Sequence, residues 1–249
     1  MPPPQVGHYL RAGMINGCCV GEPWNSYAVS EGLGRTLITS YDIWNNHPEK
    51  VFAVTRNWAQ RNPNTHQAVI IALLQACEWL DEVDNRREAC EILSAGRYVN
   101  APLDVLEKSL TGTLQFSSDE SPRSAADYNV FHRYTANFPW RSHALWFLSQ
   151  MRRWGEIDDS IKPEVIAKSV YRPEVYRSAC EALNKPYPEI DFKSEGTHAD
   201  GWALMCGDEQ IPMGSDLFMD ERVFQPTEIE MYIKAFEGID TTKAEQIPA

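Results

Sequence analysis

Six cysteines, six histidines and one Gly-Glu-Pro-Trp corner are the residues here whose types suggest chemistry. Cys18 and Cys19 are adjacent within "INGCCVG". A thiol pair suits redox or soft-metal chemistry, but neighbours in a strand point to opposite faces, which keeps the two from sharing one metal or substrate easily. Cys77, Cys90, Cys180 and Cys206 are scattered, with no C-x-x-C and no paired Cys/His spacing, which argues against a structural zinc site. Most of the six read as plain buried thiols. The histidines, at 8, 47, 66, 132, 143 and 198, form no H-E-x-x-H, and His143 reads as a structural histidine beside a core position. There is no G-x-S-x-G elbow, no G-x-G-x-x-G and no P-loop; "SEGLGRT" lacks the G-K-[ST] ending. These spacings therefore offer no metal-ligating, cofactor-binding or catalytic motif.

Gly21-Glu22-Pro23-Trp24 differs in kind. A buried strand running into glycine presents backbone N–H groups at its carboxyl end, where α/β sheets bind ligands, and glycine permits close approach. The competing reading is a plain turn before the helix "SYAVSEG".

The elements that must position this corner read as α/β. "QVGHYLRAG" suits a short helix closed by Gly13, and "INGCCVG", "TLITS" and "VFAVT" suit short strands of a mostly parallel sheet. From residue 62 the pattern turns helical. Val69, Leu73, Ala76 and Leu80 step by 4, 3 and 4 along one face. Further helices are expected from Asn85 and after Pro102, and residues 112–129 read as a polar loop. Trp140, Ala144, Phe147, Met151 and Trp154 mark a core-packing helix stopped by Gly155. "RPEVYRSACEALNKP" is a further short helix, the stretch after residue 195 reads as irregular, and "TEIEMYIKAFEGI" closes the pattern as a helix.

The 249 residues, 43% hydrophobic, suffice for one large domain or two small ones. The longest apolar run, "AVIIALLQACEWL", is cut by Glu78 and Asp81 and falls short of the roughly 18 to 20 residues a bilayer span needs. A formal charge of −12 without a Lys/Arg cluster disfavours a nucleic-acid partner. "MPPPQVGHYLRAG" is not a secretory signal.

Taken together, "PPPQV", "INGCCVGEPWN", "DIWNNHPEKV", "WAQRNPNTHQAVI", "NFPWRSHALWFLSQM", "VYRPEVYR" and "IPMGSDLF" resemble the nitrate-binding proteins of bacterial ABC importers, with their bicarbonate-binding and cytoplasmic nitrate-sensing relatives. The resemblance runs from Pro2 to about Ile239. It implies an α/β, type II periplasmic-binding-protein fold of two lobes with an oxyanion in the cleft between them. Here the N-terminal part of lobe one and most of lobe two would be lacking: residues 1–40 would be the end of lobe two with its return crossover, and residues 41–249 the C-terminal part of lobe one. The same resemblance implies a fragment, with the export or lipoprotein signal and the other lobe's ligands lying upstream.

The resemblance also implies the site. Nitrate or nitrite would be held by Pro4, by Val20, Gly21 and Glu22, and by Lys50 of "HPEKV". A planar, weakly basic anion is best held by one cation plus several N–H donors. The implied role is the substrate-binding component of an ABC importer, periplasmic or lipoprotein-anchored in the full-length protein, with permease and ATPase subunits as partners. The alternatives are a cytoplasmic nitrate sensor controlling a transcription antiterminator, or a bicarbonate-binding relative; Glu49 beside Lys50 keeps the latter open. Thiamine-pyrimidine synthases share the type II fold, but two adjacent cysteines do not match their cysteine-rich motif.

Overall fold

The computed structural model describes residues 1–236. In chain order the elements are a 3-10 turn Pro3–Gln5, α1 (Val6–Arg11), α2 (Trp24–Ser30), α3 (Ser40–Ile43), α4 (Arg56–Arg61), α5 (Pro63–Asp81), α6 (Val83–Ser94), α7 (Leu103–Leu110), β1 (Thr113–Leu114), β2 (Arg123–Ser124), α8 (Arg141–Arg153), α9 (Pro163–Val170), α10 (Pro173–Ala182), β3 (Trp202–Cys206), β4 (Glu209–Met213) and α11 (Ile229–Lys234). The described residues fall into two compact units: residues 1–43 with 75–133, and residues 44–74 with those from 134 onward, the boundary lying inside α5.

In the first unit α6 and α7 pack around Cys90, Ala101 and Leu106, with Trp24 of α2 against the same cluster. α1 lies on α2, and the approach is close enough that a Cβ on Gly7 would sit 2.7 Å from the Tyr27 ring, so only glycine fits. Arg86, 2% exposed, is satisfied by the carbonyls of Leu80 (2.9 Å), Leu110 (2.7 Å) and Asn129 (3.0 Å) and by Asp81. It thereby ties α5, α7 and the end of the 112–129 loop together. That loop is pinned by the antiparallel pair β1 and β2, in register Thr113 with Ser124.

The second unit centres on α8. Trp140, just ahead of it, is fully buried with Phe138, Tyr176 and Leu74, and its indole N–H donates to the Thr135 hydroxyl (3.3 Å). Ala144 and Leu145 pack with Trp44, Phe218, Phe224 and Tyr232. β3 and β4 form an antiparallel hairpin, Leu204 opposite Ile211, closed by Gly207 and Asp208. Gly207 sits at φ +58, in the first central position where a two-residue hairpin turn favours glycine.

Several expectations are corrected. No strand forms at 15–21, 36–40 or 51–55, and the described residues hold no parallel pairing; the two sheets are each two-stranded and antiparallel. A strand stands only where its N–H and C=O groups find a ladder. The Thr36 N–H bonds the Phe116 carbonyl (2.8 Å), an isolated contact, while Leu37 and Val51 are 86% and 69% exposed. The face of α5 is also rotated: Leu74 is buried, with Ile70 and Ile71 packed beside it, whereas Leu73 is exposed. α8 buries Ala144, Leu145 and Leu148, and leaves Phe147, Met151 and Trp154 largely outside. The hairpin lies in the stretch read as irregular, and α4 and α9 add to the expected helices. Residues 237–239 of the final helix lie outside the described residues.

Candidate functional site

The corner at residues 20–26 is built by hydrogen bonds rather than by a strand end. The Asn25 side-chain amide donates to the Val20 carbonyl, and the Trp24 N–H donates to the Gly21 carbonyl (3.3 Å). The Glu22–Pro23 bond is cis. The half-buried Glu22 carboxylate accepts from the Ser26 N–H (3.2 Å) on one oxygen and from the Tyr128 hydroxyl (2.8 Å) on the other. Burial, and then the Glu22 charge, push the Tyr128 phenol well above its ordinary range, so Tyr128 stays a donor. Gly21 is exposed and Val20 half-buried. Pro4 lies exposed in the 3-10 turn that leads into α1.

Lys50 belongs to the second unit, on backbone without regular structure. Its ammonium contacts both oxygens of Glu49 (2.6 and 2.7 Å) while remaining 81% exposed. An ion pair so open to water contributes little to stability. The structure thus gathers Val20, Gly21 and Glu22 into one hydrogen-bonded corner of the first unit, with Pro4 in the same unit and Lys50 in the other.

Sequence reasoning missed Tyr128. It lies 106 residues from Glu22, in a loop whose composition suggested mobility; its one signal was a lone aromatic with a polar tip amid Ser, Asp and Ala. Among the described residues no group of three or more His, Cys, Asp and Glu is placed to hold a metal ion. His143 is buried and bonds the Glu195 carboxylate (2.9 Å), and His198 bonds the buried Asp216 (2.7 Å) while stacking on Trp202. Both are structural pairs. Cys90 and Cys180 are buried as expected, but Cys18 and Cys19 are exposed.

The periplasmic nitrate-binding protein NrtA from Synechocystis superposes with a TM-score of 0.82 at 25% identity, over 95% of this chain and 57% of that one. The chain has the fold of a nitrate-binding protein. The type II binding-protein architecture implied by the motifs is therefore present, although the described residues lack the parallel pairing expected of it. The nitrate/nitrite binding protein NrtA of Nostoc is 29% identical over 238 residues, 95% of this chain and 50% of that protein. The nitrate import ATP-binding protein NrtC of Synechocystis is 37% identical over 236 residues, again 95% of this chain but 32% of that protein. The bicarbonate transport ATP-binding protein CmpC of Synechococcus elongatus is 35% identical over 74% of this chain and 26% of that protein. Residues 1–94 match the model of the NMT1-like family. The chain spans about a third to a half of the length of the NrtC and NrtA relatives. Among the described residues no helix is long and apolar enough to cross a membrane.

Proposed function

We propose that this chain is the substrate-binding part of an ABC importer for nitrate or nitrite, working without catalysis and delivering its anion to a permease driven by ATPase subunits. The observation that carries the reading is the superposition on a periplasmic nitrate-binding protein over nearly the whole chain. The proposed anion contacts are Pro4, Val20, Gly21 and Glu22 in the first unit and Lys50 in the second. Gly21 is exposed and lacks a Cβ, which favours close approach of a ligand to its backbone. Lys50 has its charge in water and is paired with Glu49. Titration calorimetry of the full gene product with nitrate, nitrite and bicarbonate tests this: saturable heat with nitrate or nitrite is expected, and none with any of the three overturns it.

A second reading has its own support. Identity is higher to the ATP-binding protein NrtC, at 37%, than to the NrtA proteins, at 29 to 31%. The same segment would then be an anion-responsive module joined to an ATPase rather than a free binding protein. Nitrate-dependent ATP hydrolysis by the full gene product separates the two, since a free binding protein hydrolyses none.

A further inference from the structure

Cys18 and Cys19 are the exposed thiols among the six, none of which is in a disulfide; Cys90 and Cys180 are buried, and Cys77 and Cys206 half-buried. The adjacent pair lies on backbone outside any strand, so the alternation that would send the two side chains to opposite faces does not apply. Gly17 and Gly21 lie on either side of the pair, and a Cβ on Gly17 would meet nothing within 4 Å. The segment therefore has both room and backbone freedom to bring two consecutive sulfurs onto one centre.

We propose that Cys18 and Cys19 form a vicinal dithiol site that chelates a trivalent, thiophilic centre of the organoarsenic(III) class. The chemistry balances without an oxidant. Each thiol adds its sulfur to the same arsenic, two As–S bonds replace the As=O bond, and the two thiol protons leave with that oxygen as one water. Chelation by two sulfurs on one chain resists exchange with a monothiol, because the second bond is remade at a high effective concentration. Nothing in this chemistry depends on the anion-binding reading.

The probe is phenylarsine oxide added to the full chain, read by intact-mass spectrometry after washing with excess 2-mercaptoethanol and then with 2,3-dimercaptopropanol. One retained equivalent is expected, stable to the monothiol and released by the dithiol. Cys18→Ser and Cys19→Ser should each cut retention at least tenfold, with unchanged circular dichroism because both sites are exposed. Cys77→Ser and Cys206→Ser should leave it unchanged. Retention that survives either Cys18→Ser or Cys19→Ser, or an adduct stripped from the native chain by the monothiol, overturns the proposal.

Discussion

His143 Nε2 lies 2.9 Å from Glu195 Oε1, with both side chains buried, and the Lys193 ammonium approaches the same oxygen to 2.5 Å. Glu195 also exchanges backbone hydrogen bonds with Phe224, whose ring sits in the core under α8. The Ser142 hydroxyl accepts from the Lys193 N–H (3.2 Å). A segment of irregular backbone is thereby fastened to the first turn of α8, and charge compensation makes it tolerable: a buried carboxylate is costly unless paired.

Acid should loosen this fastening. Burial lowers the His143 pKa below its ordinary 6.5, and Glu195 only partly opposes the effect. Burial alone would raise Glu195, but His143 and Lys193 outweigh it and hold the carboxyl below its ordinary 4.5. In both cases the unfolded chain takes up the proton more readily. The stabilisation is present above about pH 6.5 for His143 and 4.5 for Glu195, and is lost as pH falls below those values. The melting temperature should therefore drop between pH 7 and 5 more in the native chain than in His143→Gln. Glu195→Gln, which strands Lys193, should cost about 3 kcal/mol at pH 7 in urea titrations.

How much of this was legible follows from what each signal measures. Helix existence was plain in α5, α8 and α10, because capping residues and apolar spacing are local. The buried face was not: α5 is apolar at Val69 through Leu74, so spacing alone could not choose between Leu73 and Leu74. The strands failed for a related reason, since "INGCCVG" and "VFAVT" have strand composition but no ladder partner among the described residues. The hairpin was hidden by Pro212 and its acidic flanks, although Gly207-Asp208 between two five-residue runs is the usual two-residue turn signal. At the site, Gly21 and Glu22 were visible as a corner, and Lys50 and Pro4 only through the resemblance. The pairing of Tyr128 with Glu22 was invisible because a contact spanning 106 residues leaves no local trace.

Asp81 anchors the chain at the end of α5. It accepts from the backbone N–H groups of Phe131 (3.0 Å), His132 (2.7 Å) and Arg133 (2.6 Å), and from the Arg133 and Arg86 guanidinium groups. Burial opposes ionisation, yet these donors hold its carboxyl below the usual range. Asp81→Ala leaves the buried Arg86 short of a partner and should cost about 3 kcal/mol. Hydrogen exchange at residues 131–133 should speed up at the same time; unchanged exchange there would contradict the anchoring role.

Gly196 and Gly207 give a paired test of backbone strain. Both have positive φ, +85 and +58. A Cβ on Gly196 would overlap the Arg222 carbonyl oxygen and press on Phe218 at 3.1 Å, whereas one on Gly207 meets nothing nearer than a Glu189 carboxylate oxygen at 3.8 Å. Gly207→Ala should cost about 1 kcal/mol from conformation alone. Gly196→Ala adds a backbone collision and should cost about 3 kcal/mol or more. Equal losses in thermal unfolding would show that the collision is relieved by movement of the 218–222 turn.

Lys50 is the cation proposed to meet the anion. Lys50→Gln should weaken nitrate binding roughly tenfold or more, the worth of a charge-assisted hydrogen bond, and leave stability within about 0.5 kcal/mol because the Glu49 pair is exposed. Calorimetry and urea unfolding on the same sample read both effects. Unaltered nitrate affinity would remove Lys50 from the site.

Tyr128 should act on the corner through Glu22. Tyr128→Phe deletes the 2.8 Å donor but keeps the ring, and Glu22→Gln keeps the shape but removes the charge that the hydroxyl faces. If the pair is coupled, each single change should cost about 1 kcal/mol, and the double variant little more than either, since the second change removes an interaction already lost. The Ser26 amide, which also donates to Glu22, should exchange faster in Glu22→Gln than in Tyr128→Phe, because only the former weakens its own acceptor. Additive losses would instead mean that the hydroxyl and the carboxylate contribute separately, and the 112–129 loop would then not be what holds the Val20–Glu22 corner in place.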